Sequence, residues 1–241
     1  MKLGMAVGQT KDNMIKEIGL GTIAQKKISV LNSLREIKKK KPHYTIIDVG
    51  GGKEKHVNDK FDFIDACVDL REVNHQNVKH FKGNINDPSL WEQIKQYVEV
   101  RGKYDYCICT HTLEDIAFPS FVASQIQGIA HEGIITTPSK YRECCRFELD
   151  NLIRGYIHHR WIMTIKDNSI LAFPKLNLIE DPFFDTLAKK SLPTNEELYV
   201  LWEKEIPFKI INNDWLGPNP PSCLEMYKRE LSNTDEDNEQ P

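Results

Sequence analysis

Apolar residues recur along this chain in short runs, and most of the runs lack the strict alternation of a strand with one wet face. Residues 22–38 are the exception, with Ile23, Ile28, Leu31, Leu34 and Ile37 spaced for one face of an amphipathic helix that Pro42 ends. Apolar runs follow at 44–49, 63–70, 78–81, 106–110 and 133–137, and residues 119–130 carry helical spacing between the last two. Such runs suit strands covered on both faces, as in a parallel sheet flanked by helices. Residues 161–166 and 169–173 flank Asp167-Asn168 and predict an antiparallel hairpin closing one edge of that sheet. Thr194-Asn195-Glu196-Glu197 has the spacing of a capping box and predicts a short helix through Trp202.

The pattern is that of a single α/β domain over residues 1–231, Rossmann-like and mainly parallel, with helices on both faces. Residues 1–20 show no clear period and read as a lid, a short helix or a loose arm; residues 174–231 read as a C-terminal elaboration. Residues 232–241 are polar and acidic, the composition of a disordered tail.

The 241 residues are 40% hydrophobic and 28% charged, the composition of a soluble globular protein. A net charge of −3 provides no long-range attraction for nucleic acid or an anionic membrane, so neither is expected as a partner. The Lys38–Lys41 run falls at the end of the first helix, where it complements the helix dipole and reads as a solvated cluster. Cys67, Cys107 and Cys109 lie in apolar runs, Cys144-Cys145 is a vicinal pair, and no CxxC spacing for zinc occurs. With no secretory opening and no apolar run long enough to span a bilayer, a cytoplasmic location is expected.

Ile46-Ile47-Asp48-Val49-Gly50-Gly51-Gly52 is an apolar strand that runs into glycines, where the missing Cβ lets a ligand approach the backbone. Asp48 is placed to accept from a ligand amine or to order the loop. Asp69 ends the next apolar run, roughly twenty residues on, the separation at which an acid reaches both ribose hydroxyls of a nucleotide. Asp65 and Glu72 are the nearby rivals and are expected to face solvent.

Asp48-Val49-Gly50-Gly51-Gly52 resembles the first motif of class I S-adenosylmethionine-dependent methyltransferases, and Asp69 their ribose-binding acid. Residues 104–116, YDYCICTHTLEDI, are similar to a fourth-strand segment of small-molecule methyltransferases that often ends in His-x-Leu-Glu-His. The resemblance covers residues 42–137. Asp115 stands where that segment often has histidine, and Gly83-Asn84-Ile85-Asn86-Asp87 stands where many such enzymes have Gly-Asp. The resemblance implies S-adenosylmethionine as cofactor and S-adenosylhomocysteine as product. Asp48 and Gly50, Gly51 and Gly52 would hold the methionine end, Asp69 the ribose, and Asn84, Asn86 and Asp87 the adenine side. Leu70, Thr110 and His111 are assigned to the same cofactor site.

It also implies in-line transfer of a methyl group to a nucleophilic atom. Residues 154–161, RGYIHHRW, loosely resemble methyltransferase-like proteins found beside glycan-assembly enzymes, which points to O-methylation of a small polar acceptor, a sugar or nucleotide-linked sugar. For a hydroxyl acceptor a general base is required, and His158, His159 and Asp115 are the favoured catalytic groups. On a strand, His158 and His159 would point to opposite faces, so that one serves and the other packs. Glu114, Ser139, Lys140, Tyr141, Arg154, Tyr156 and Arg160 are the candidate substrate-binding residues, the arginines Arg142, Arg146, Arg154 and Arg160 suiting an anionic acceptor. A divalent metal held by His111, Glu114, Asp115 and a later histidine is compatible with the chain but not required by it, so no metal ligand is assigned. Two other readings of the same pocket are a nicotinamide-dependent oxidoreductase and a non-catalytic cofactor-binding module. Against the first, G-x-G-x-x-G is incomplete, its third glycine falling in the His56-Val57 region.

Overall fold

The computed structural model describes residues 15–51, 62–72, 77–211 and 220–232. In chain order the elements are β1 (Ile15–Gly21), α1 (Gln25–Lys40), β2 (Ile46–Val49), β3 (Ala66–Asp69), β4 (Lys79–Lys82) and α2 (Pro88–Arg101). Then come β5 (Tyr104–Thr110), α3 (Pro119–Ile129), β6 (Ala130–Pro138), α4 (Lys140–Cys144), β7 (Arg146–Glu148) and β8 (Ile153–Arg154). The rest are β9 (Trp161–Lys166), β10 (Ser169–Pro174), α5 (Phe183–Ala188), β11 (Glu197–Glu203), β12 (Phe208–Ile210) and α6 (Pro220–Ser232).

The main sheet has the order β1-β11-β6-β5-β2-β3-β4. Its central strands β4, β3, β2, β5 and β6 run parallel, while β11 runs antiparallel to both β6 and β1. Alternation along β2 sorts its side chains between two cores. Ile47 and Val49 join Val68, Cys109, Trp91 and Ile126 beneath α2 and α3. Ile46 joins Cys67, Ile108, Leu31 and Leu34 beneath α1. Both faces of the sheet are therefore dry, which is why β2, β3 and β5 read as unbroken apolar runs. A third cluster, with Tyr141, Phe173, Phe184 and Tyr227, holds the C-terminal third together. Among the described residues no helix is long and apolar enough to cross a membrane.

Three expectations change. The hairpin β9–β10 forms around Asp167 and Asn168, both with positive φ (49° and 53°), as a two-residue type I′ turn requires. It lies, however, in a separate sheet, β12-β10-β9, and not at the edge of the main one. That side of the main sheet is instead continued by β11, where the capping box predicted a helix. Leu198, Val200 and Trp202 are buried at a spacing of two, and that period outweighs the cap-like tetrapeptide. β1, within the segment read as a lid or arm, pairs outside β11 and is the edge strand on that side. A register shift between Ile15 and Glu17, and glycines at 19 and 21 beside the Tyr199 ring, blur its alternation. Residues 1–14 and the tail from 233 lie outside the described residues.

The packing of β5, β6 and β11 is tightest at Gly133, where a Cβ would collide with the Cys107 carbonyl and the Trp202 ring; Gly128, on α3, has nothing within 4 Å. Gly133→Ala is expected to cost about 1–3 kcal/mol by overpacking. Gly128→Ala is expected to be neutral or to gain about 0.5–1 kcal/mol, the helix preference of alanine. Urea unfolding of both variants checks the pair, and equal midpoints would contradict this strand packing.

Candidate functional site

The chain lays β2, β3 and β4 outwards on one side and then returns to place β5 and β6 on the other side of β2. Where the order reverses, the loops leaving β2 and β5 diverge and open a crevice at the carboxyl ends of the strands. A cavity of about 860 Å³ lies there. Gly50 and Gly51 form one wall. Gly50 has φ +80° and donates its N–H to Val68 O at 2.8 Å; a Cβ on it would strike the Thr112 side chain. A Cβ on Gly51 would strike the Asp48 carboxylate. Asp48 is 2% exposed and sits behind this wall, against Gly51. Gly52 lies outside the described residues.

The second wall comes from the ends of β3 and β4. Asp69 borders the cavity, and its Oδ1 accepts the Arg71 N–H at 2.7 Å. Leu70 and Phe118, both strongly exposed, face the same space and give it apolar surface. Asn84 and Asn86 also line it; Asn84 Oδ1 accepts from Asn86 N at 3.0 Å, while Asn86 Oδ1 accepts the Phe118 N–H at 3.0 Å. Asp87 is a different case. Its carboxylate accepts the Ser89 N–H at 2.9 Å and caps α2, with Pro88 at the first helical position. The rival acids separate too. Asp65 is not simply solvated but accepts from Ile46 N and Lys38 Nζ, both at 2.8 Å, and Glu72 pairs with Lys82 on the surface.

Thr110 ends β5, and His111 follows it with φ +50°. The His111 ring borders the cavity between two buried carboxylates: Nε2 is 2.7 Å from Glu197 Oε1, and Nδ1 is 3.3 Å from Glu114 Oε1. Burial opposes a charge on the ring, but the contacts with Glu114 and Glu197 outweigh it and raise the imidazole to about 9. Burial pushes the Glu114 carboxyl up, with His111 opposing. Glu197 also accepts the Ala24 N–H at 3.1 Å and so fixes the start of α1 over the cavity. Sequence reasoning missed Glu197, because its partner lies 86 positions away.

Beyond Asp115 the cavity meets a smaller one of about 550 Å³, and Arg160 lines both. His158 and His159 lie in a turn before β9, so the alternation of a strand does not apply and their ring centroids are 4.6 Å apart. His159 Nε2 is 3.4 Å and His158 Nε2 3.9 Å from Asp115 Oδ1. Behind them Glu143 Oε1 is 2.7 Å from His159 Nδ1, and Lys175 Nζ donates to Glu143 Oε2 at 2.9 Å. Glu143 and Lys175 were not assigned to the site from sequence.

Several of the acceptor-side candidates have their partners inside the C-terminal third. Ser139 Oγ donates to Asn195 O at 2.6 Å, and Lys140 Nζ to Leu231 O at 3.0 Å. Tyr141 is buried in the third core cluster, and Arg154, 1% exposed, donates to Asp185 at 2.5 Å and Cys144 O at 2.9 Å. Arg142 pairs with Glu196 and Arg146 with Glu180. Tyr156 packs on Phe147 and on the His159 ring. Glu114 is 1% exposed and faces His111; among the described residues the donor atoms grouped with Asp115 are those of His158 and His159.

No protein-family model matches the chain, and no curated protein matches it. Solved structures do show similarity. A SAM-dependent methyltransferase from Anabaena variabilis aligns over 73% of this chain and 83% of its own, at 10% identity and a TM-score of 0.37. The plantazolicin methyltransferase BamL, in complex with a triazolic desmethylPZN analog and SAH, aligns over 76% and 86%, at 13% identity and a TM-score of 0.37. The N-terminal domain of EvdMO1 with SAH bound aligns over 72% and 80%, at 10% identity and a TM-score of 0.36. These overlaps are loose, and the functional reading rests on this chain's own groups.

The His111 ring sets a pH dependence. Its folded value is raised, so its contribution to stability is complete below the ordinary imidazole value of about 6.5. That contribution is lost as the pH climbs through about 9. NMR titration of the ring protons is expected to show an alkaline midpoint that Glu197→Gln lowers, with the loss of thermal stability moving to lower pH. A native midpoint in the ordinary imidazole range would contradict the two-carboxylate arrangement.

Proposed function

We propose that this chain is an S-adenosylmethionine-dependent methyltransferase that O-methylates a small polar acceptor, a sugar or nucleotide-linked sugar. One observation carries the reading: the Gly50–Gly51 bend and Asp69, from two neighbouring strand ends, border the same cavity. The cofactor fits the groups present. Side chains at positions 50 and 51 would strike Thr112 and Asp48, so only glycine fits this bend, and its bare backbone borders the cavity. Asp69 suits a ribose diol, as an acid at the end of the second strand of such a unit. Leu70 and Phe118 offer apolar surface to a flat base, and Asn84 and Asn86 bring amides to its edge.

The bound cofactor supplies a methyl group on a positively charged sulfur, an already activated leaving group. The chain's part is alignment and removal of the acceptor proton. Asp115 borders the cavity with His159 and His158 beside it, and this cluster is where an acceptor hydroxyl would give up its proton. Of the four arginines in this region, Arg160 is the one that lines both cavities, which suits a phosphate or other anion on the acceptor.

Calorimetry with S-adenosylhomocysteine and with NADH tests the cofactor directly. Binding of the first and not the second is expected. Asp69→Ala is expected to weaken it by about 10- to 100-fold, the range for hydrogen bonds to a charged group. Gly50→Val, which strains a φ of +80° and drives a side chain into Thr112, displaces the bend and is expected to abolish binding. Methyl transfer to a panel of free and nucleotide-linked sugars then tests the acceptor class. NADH binding without S-adenosylhomocysteine binding would overturn the reading.

A further inference from the structure

The junction of the two cavities holds three donor groups from two separate segments. Asp115 follows β5; His158 and His159 precede β9. Their donor atoms lie within 4.8 Å of one another, His159 Nε2 being 3.4 Å from Asp115 Oδ1. Backbone bonds hold the segments together: the N–H groups of Arg160 and Trp161 donate to Glu114 O at 2.7 and 3.2 Å, and the Trp161 indole donates to Ile116 O at 2.7 Å. These bonds of the surrounding chain hold the two segments of the cluster side by side.

The tautomer of His159 is set from behind. Lys175 donates to one oxygen of Glu143, so Glu143 acts as an acceptor and its other oxygen takes the Nδ1 proton of His159 at 2.7 Å. Nε2 then faces a carboxylate oxygen 3.4 Å away. A cation between the two, a proton or a metal ion, would join them. A proton would join one ring to Asp115; it would leave the second ring, His158, facing the same oxygen at 3.9 Å without a role. A metal ion uses all three donors.

We propose that Asp115, His158 and His159 hold a divalent transition-metal ion of the zinc type. Two imidazoles and a carboxylate suit such an ion and not magnesium, which takes oxygen ligands. Ligand atoms around tetrahedral zinc stand about 3.3 Å apart for bonds of about 2.0 Å. His159 Nε2 already stands at about that spacing from Asp115, and His158, whose side chain is 55% exposed, is the donor that would have to move closer on binding. Glu143 is the outer carboxylate that orients the ligating histidine. Asp115 lines the larger cavity and the two histidines the smaller. The ion's role there, which rests on the methyltransferase reading, is to bind the acceptor oxygen and lower its pKa, so that the proton leaves to solvent water and the three side chains serve as ligands instead of as the base.

The test uses the untagged full chain, stripped by chelator and titrated calorimetrically with Zn²⁺ and Co²⁺. One ion per chain is expected, with visible cobalt bands of a low-coordinate site. His158→Ala, at an exposed position that leaves the fold intact, is expected to weaken binding at least 10-fold. Glu143→Gln is expected to weaken it by about 10- to 100-fold, as for other outer carboxylates. Wild-type binding no tighter than that of the Asp115→Asn/His158→Ala double variant would overturn the site and leave a proton as the cation. S-adenosylhomocysteine calorimetry on the stripped protein separates the two readings. Cofactor binding without metal binding rejects the metal site alone, and metal binding without cofactor binding rejects the methyltransferase alone.

Discussion

A parallel sheet buried on both faces can reach a ligand only at its strand ends, and only where neighbouring loops turn away from one another. Here that condition is met once in the parallel part of the sheet, between β2 and β5, where the strand order reverses. Everything at the site follows from this reversal. The glycine bend leaves β2, Asp69 leaves β3, the asparagines leave β4, and His111 with Asp115 leaves β5. None of these groups needs to be near another in sequence, because the sheet register brings them together.

The C-terminal third completes the crevice from the other side. Its hairpin does not extend the main sheet but is tied to the loop after β5 through Glu114 and Ile116, which puts His158, His159 and Arg160 beside Asp115. Two buried carboxylates then fix two histidines: Glu197 holds His111, and Glu143 holds His159. Buried carboxylates are expensive unless paired, so each is tied to the partner it positions. Polar side chains elsewhere in this third, Arg154, Lys140 and Ser139 among them, serve its own packing.

What was legible in the sequence was whatever depends on local pattern. The apolar runs of β2, β3 and β5, the bend at Gly50 and the turn at Asp167-Asn168 are each written in a few adjacent residues. β1 was lost because a register shift breaks its alternation, and β11 because a cap-like tetrapeptide precedes a true period of two. Asp87 carried its own clue, since an acid followed by proline is a helix start before it is a ligand contact. Ser139 and Arg154 gave none. Whether a polar side chain turns inward depends on partners far along the chain, Asn195 for one and Asp185 for the other.

The account stands or falls on whether the first wall and the second serve one molecule. A crystal structure with S-adenosylhomocysteine bound measures this directly. The account requires the ribose hydroxyls within hydrogen-bond reach of Asp69, the amino-acid end against Gly50 and Gly51, and the sulfur turned toward Asp115. Density for the ligand at any other place, or a ribose out of reach of Asp69, would contradict it.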